Sequence, residues 1–155
     1  MIALALLLLG SAIAQADERP NIVVFYTDDH GHADLSCQGV LDDIRTPHVD
    51  ALARSGARAI HGYSTAPQCV PSRAGLLAGK FQAKFGVESN GYPMDGFNKQ
   101  TTFAKRLQSA GYKTAQFGKW HLGPGPQITK HGFTHVFNQN SQAKFYANID
   151  LDGKD

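Results

Sequence analysis

The stretch that most narrows the possible folds is "PNIVVFYTDD", residues 20–29. Ile22 to Tyr26 is an unbroken apolar run of β-branched and aromatic residues, closed by Pro20 on one side and by Asp28-Asp29 on the other. A run without alternation has no polar face, so it predicts a strand covered on both sides, central in a parallel sheet. Parallel strands need crossover connections, and helices that could serve as crossovers follow. "TPHVDALARSG" predicts a helix with Thr46 as N-cap, Pro47 at its first position and Gly56 as its stop. "ARAIHGYS" predicts a short strand, and "PSRAGLLAGK" a short helix with Pro71 at its first position. "TTFAKRLQSAGY" predicts an amphipathic helix with Phe103, Leu107 and Ala110 on one face and Gly111 at its end. "KTAQFGK" predicts another strand and "WHLGPGPQ" a loop, and beyond His131 no period is legible. The alternation predicts an α/β domain with a mainly parallel central sheet flanked by helices.

Ligands of such sheets sit beyond the carboxyl ends of strands, and two pairs of ionisable residues fall there. Asp28 and Asp29 are adjacent carboxylates at the end of an apolar run; they fit a hard divalent cation or, equally, a solvated turn. Lys119 and His121, two apart after a strand, suit an anionic substrate and a proton transfer, or else a surface lysine beside a packed Trp-His pair. A third element is "CVPSR", residues 69–73, which puts Cys69 just before a helix N-terminus with Arg73 in the first turn. Free backbone N–H groups, the helix dipole and the guanidinium all favour negative charge there, whether a thiolate or a bound anion.

Residues 1–16, "MIALALLLLGSAIAQA", predict a signal peptide: an apolar run too short to span a bilayer precedes an A-x-A pattern at Ala14-Gln15-Ala16. The mature domain is then 17–155, exported to the periplasm or secreted, with no transmembrane segment. In that setting the two cysteines, Cys37 and Cys69, invite a disulfide on counting alone. A net charge of +2 and the lack of any basic run exclude a nucleic-acid footprint.

Together these segments resemble one family, the formylglycine-dependent sulfatases of the alkaline-phosphatase-like superfamily. Its modification motif, C-x-P-S-R before a small-residue helix, is matched by "CVPSRAGLLAG". The first strand and metal loop are matched by "PNIVVFYTDDHGHADLSCQG", the next helix and strand by "TPHVDALARSGARAIHGYS", and the lysine-histidine segment by "GYKTAQFGKWHLG". The four motifs occur in the family's order across about residues 20 to 135. The resemblance implies an alkaline-phosphatase-like fold, of which this chain covers the N-terminal part, and cleavage of sulfate esters, with sulfated carbohydrate as the preferred substrate class.

By the same resemblance, Cys69 is converted to formylglycine (3-oxoalanine) by a formylglycine-generating or anaerobic sulfatase-maturating enzyme. One hydroxyl of the hydrated aldehyde attacks sulfur and releases the alcohol, and the other is then deprotonated and expels sulfate, restoring the aldehyde. Asp28, Asp29 and the modified Cys69 match metal positions, with Ca²⁺ ahead of Mg²⁺. Arg73 supports the hydrated aldehyde, Lys119 binds sulfate and aldehyde oxygens, and His121 assists the elimination. Cys37 matches no functional position and is expected to be a structural thiol, unbridged to Cys69. All six site residues are expected to converge at the carboxyl end of the sheet. Family members are longer, with further metal ligands and a further histidine and lysine downstream of the matched segment, so low turnover is expected of this chain alone. "LLAG" stands where "LLTG" is commoner. Two rivals stay open: a phosphoryl-transfer relative, against which Cys69 in this motif argues, and a degenerate domain that binds metal or sulfated glycan without turnover.

Overall fold

Helices form where their ends are specified locally. The computed structural model describes residues 19–137, so the segment read as a signal peptide lies outside the described residues. Helix α1 (Pro47–Ser55) begins after Thr46 with proline in its first turn and stops at Gly56. Thr46 does not cap its own helix through the side chain; its hydroxyl donates to Asp50 Oδ1 and accepts from the Ser36 N–H. This ties α1 to the single-turn 3₁₀ helix at Ser36–Gln38, where Asp50 also accepts from the Cys37 N–H.

Helix α2 (Cys69–Ala78) ends at Gly79, whose left-handed conformation a glycine adopts without Cβ strain. It starts two residues earlier than the proline predicts: the Ser72 N–H bonds to the Gln68 carbonyl, so Cys69 is itself the first helical residue. Pro71 is still harmless there, because first-turn N–H groups have no intrahelical acceptor. After the short α3 (Asp95–Asn98), α4 (Phe103–Ser109) is capped by Thr102, whose hydroxyl accepts from the Lys105 N–H. Its buried face is centred on Ala104, with Phe103 and Leu107 half-buried, whereas Ala110 is exposed.

The sheet among the described residues is a parallel pair, β1 (Ala115–Phe117) and β2 (His135–Phe137), in register Ala115 with His135 through Phe117 with Phe137. The facing rings of Phe117 and Phe137 stack at 4.7 Å. A 3₁₀ helix, Gly125–His131, makes the crossover. β2 lies where the sequence shows no period, because three residues are too few to display one.

Two predicted strands do not form among the described residues. Residues 22–26 form no ladder among the described residues, and their side chains are exposed, with Phe25 at 83%. Residues 57–64 likewise form none, leaving Ile60 and Tyr63 exposed. Apolar β-rich composition makes a segment fit for a sheet, but a strand exists only when neighbours take its backbone N–H and C=O groups.

The core instead lies between α2, α3, α4 and the segment after β1. Val70, Ala74 and Leu77 of α2 meet Phe97, Ala104, Trp120, Leu122, Ile128 and Phe133. Trp120 packs edge-on against Phe133 at 5.9 Å, and His131 stacks on Phe97 at 4.6 Å. The buried Trp120 thus anchors the loop that carries Lys119 and His121.

Candidate functional site

The site forms around the first turn of α2. Its N-terminus is held by a reciprocal pair: Asn90 Oδ1 accepts from the Val70 N–H at 3.0 Å, and Gln68 Oε1 accepts from the Asn90 N–H at 2.9 Å. The buried Ser72 hydroxyl donates to the Cys69 carbonyl at 3.1 Å, which stiffens the same turn. Cys69 Sγ sits 3.8 Å from Asp28 Oδ1 and 3.4 Å from Lys119 Nζ, contacts that span 41 and 50 positions of sequence.

Lys119 Nζ donates to Asp28 Oδ2 across 91 positions, and Arg73 Nη2 lies 3.7 Å from the same oxygen. Arg73 Nη1 also donates to the Lys119 carbonyl at 3.0 Å. Lys119 and Arg73 are largely buried, while Asp28 is about one-third open, at 33%. The hydrogen bond from Lys119 holds the Asp28 carboxyl below its ordinary range against the opposing effect of burial. Burial acts to lower Lys119, but its hydrogen bonds to Asp28 and Cys69 prevail and raise it. His121 is pushed down by burial first and then by the Lys119 and Arg73 cations, so it is neutral at pH 7.

Asp28 and Lys119 therefore each touch Cys69 and each other, Arg73 joins them through Asp28 and the Lys119 carbonyl, and His121 lies within the field of Lys119, Arg73 and Asp28. Asp29 differs: among the described residues it makes no side-chain hydrogen bond or ion pair. Asp29 and His121 are the two non-glycine residues with positive φ among the described residues, at 49° and 58°. Such conformations cost energy and cluster at sites whose surroundings enforce them. His121 Nδ1 and Arg73 Nε are buried with no hydrogen-bond partner among the described residues.

Cys37 and Cys69 are both free thiols, so the pairing that counting invites does not form. Among the described residues no group of three or more His, Cys, Asp or Glu side chains gathers as a metal cluster. The Asp28 carboxylate, with Asp29 adjacent in sequence, fits a hard cation in kind, whereas the Cys69 thiol is a soft donor, and the set falls short of the about six to eight oxygens that Ca²⁺ takes.

Three residues at the site escaped the sequence reading. Gln68 and Asn90 clamp the start of α2, and no spacing signal links positions 22 apart in a loop. Tyr26, whose ring lies 5.3 Å from the Arg73 guanidinium carbon, reads as one more apolar strand residue.

Comparison with known proteins points to one family. A family model described as Sulfatase matches residues 20–154. The chain is 37% identical over 147 residues to an arylsulfatase of Klebsiella aerogenes, covering 87% of this chain and 31% of that protein. It is 41% identical over 147 residues to an N-acetylglucosamine-6-O-sulfatase of Bacteroides thetaiotaomicron, covering 92% of this chain and 25% of that protein. Among solved structures it is similar to the crystal structure of Ps i-CgsB in complex with k-i-k-neocarrahexaose, with a TM-score of 0.60 at 36% identity over 73% of this chain and 27% of that one. The chain thus spans between a quarter and a third of the length of the curated relatives it matches. Among the described residues, no helix is long and apolar enough to cross a membrane.

Proposed function

The chain belongs to the sulfatase family, and from that membership we propose that it carries part of the active site of a sulfuric ester hydrolase acting on sulfated carbohydrates. The observation that carries this proposal is the contact of Asp28, Arg73 and Lys119 around Cys69 at the head of α2. The fold is of the alkaline-phosphatase-like kind that its sulfatase neighbours share. A carbohydrate substrate is supported by the printed function of the Bacteroides thetaiotaomicron relative.

In this proposal Cys69 is converted to formylglycine by a maturating enzyme. Once formed, that group supplies a hydrated aldehyde oxygen as nucleophile toward sulfur. Asp28, Asp29 and the oxygen at position 69 would hold the divalent cation, Ca²⁺ by preference for hard oxygen donors, and the cation would supply positive charge beside the sulfate. Arg73 and Lys119 bring two fixed cations to the same place, where preorganised charge stabilises anions far better than in water. The helix N-terminus adds the positive end of the α2 dipole. His121, held neutral, is able to take a proton at a ring nitrogen, and its Nδ1 has no competing partner among the described residues. Residues 1–16 serve as the export signal, and 17–155 as the domain segment.

The deciding experiment is mass spectrometry of the Cys69 peptide from protein co-expressed with a formylglycine-generating enzyme. Conversion of the thiol to the aldehyde is expected, and Arg73→Ala, which breaks the motif, should abolish it. A cysteine left wholly unmodified under conditions that modify a control sulfatase would overturn the formylglycine assignment. Hydrolysis of an activated aryl sulfate by the aldehyde form, against Cys69→Ala, then separates an enzyme from a binding domain.

A further inference from the structure

We propose that Tyr26 is a positioning residue for Arg73: its ring lies against the guanidinium and holds that cation in place, beside Asp28 and Lys119, for a bound sulfate group. This rests on the sulfate-binding role proposed above for the site.

A guanidinium offers five N–H donors in one plane. Here Nη1 is committed to the Lys119 carbonyl at 3.0 Å, and Nη2 lies 3.7 Å from Asp28 Oδ2. The Tyr26 ring centroid lies 5.3 Å from Cζ, inside the range of about 6 Å for cation–π attraction. Nε is buried and has no acceptor among the described residues. Of the five N–H donors one, on Nη1, is engaged at hydrogen-bond distance, so the ring contact decides which way the remaining donors of the guanidinium face.

The sequence delivers this economically. Tyr26 and Asp28 are two positions apart on one segment, and both meet Arg73. The Tyr26 hydroxyl has no hydrogen-bond partner among the described residues, so the ring face is the part of the side chain that acts.

The test compares the full chain with Tyr26→Leu, which keeps an apolar side chain and removes the ring, and with Tyr26→Phe, which keeps the ring. Two quantities are read: the Arg73 Nε–H signal in a ¹⁵N NMR spectrum, which a neighbouring ring shifts, and the affinity for inorganic sulfate at constant ionic strength. Tyr26→Phe should match the parent in both. Tyr26→Leu should move the Arg73 signal toward its unstructured position and weaken sulfate binding by about two- to five-fold, the size of a partly exposed cation–π contact. Unchanged sulfate affinity in Tyr26→Leu would overturn the proposal, as would an equal loss in Tyr26→Phe, which would implicate the hydroxyl. Failure of the parent chain to bind sulfate would instead overturn the anion-site assignment beneath it. The sole tryptophan, Trp120, reports by fluorescence whether each variant is folded.

Discussion

Gly132→Ala should cost a large share of the stability of this chain. Gly132 follows the crossover 3₁₀ helix with φ at +97°, where a residue with a Cβ is disfavoured by about 1–2 kcal/mol. The added Cβ would also fall 2.3 Å from the Lys105 nitrogen and 2.4 Å from its Cα, both backbone atoms of α4. No side chain can swing away to make room, so α4 and the Gly132 turn must separate. Overpacking of this kind costs about 1–3 kcal/mol. The separation also strains the hydrogen bond that joins these elements, Thr102 Oγ1 to the His131 carbonyl, and the neighbouring one from Thr114 Oγ1 to the Gly132 carbonyl. Together the losses reach about 2–5 kcal/mol, against a total of about 5–15 kcal/mol for a typical domain. Urea unfolding followed by Trp120 fluorescence suits the case, because Trp120 packs against both residues flanking Gly132. The midpoint should fall by roughly 1–3 M at the slopes usual for small proteins. Gly91→Ala is the control: a Cβ there meets nothing within 4 Å, so its effect should stay within about 0.5 kcal/mol. A Gly132→Ala midpoint equal to that of the control would refute the close approach of α4.

Thr102→Ala removes both the α4 cap and the donor to the His131 carbonyl, and should destabilise by about 1–3 kcal/mol in the same assay. Asp28 sits below its ordinary value of 3.8, so its pairing contributes stability fully above that value and loses it as pH falls through the depressed folded pKa. Asp28→Asn should flatten that acid limb of the stability–pH curve, and an unchanged limb would count against the Lys119–Asp28 contact. NMR titration should place His121 below its ordinary 6.5, and Lys119→Met should move it back up by removing a neighbouring cation.

What was legible in the sequence was what neighbours along the chain decide. Helices bond four residues back, so Pro47 and Gly56 bounded α1, and the spacing of Phe103 and Leu107 announced α4. Residues that gather in the structure, Cys69, Arg73 and Lys119, were legible too, because "CVPSR" and "GKWHLG" each keep their residues within one turn or loop. Sheet membership was not. Ile22–Tyr26 has the composition of a central strand yet forms no ladder among the described residues, whereas His135–Phe137 shows no period and pairs with β1. A strand is a relation between distant segments, so composition alone does not decide it. The same holds within the site. Tertiary structure set Lys119 on Asp28 across 91 positions, gave Asp29 no side-chain partner among the described residues, and laid Tyr26 against Arg73. Charge and shape act through space, and only folding fixes which side chains share that space.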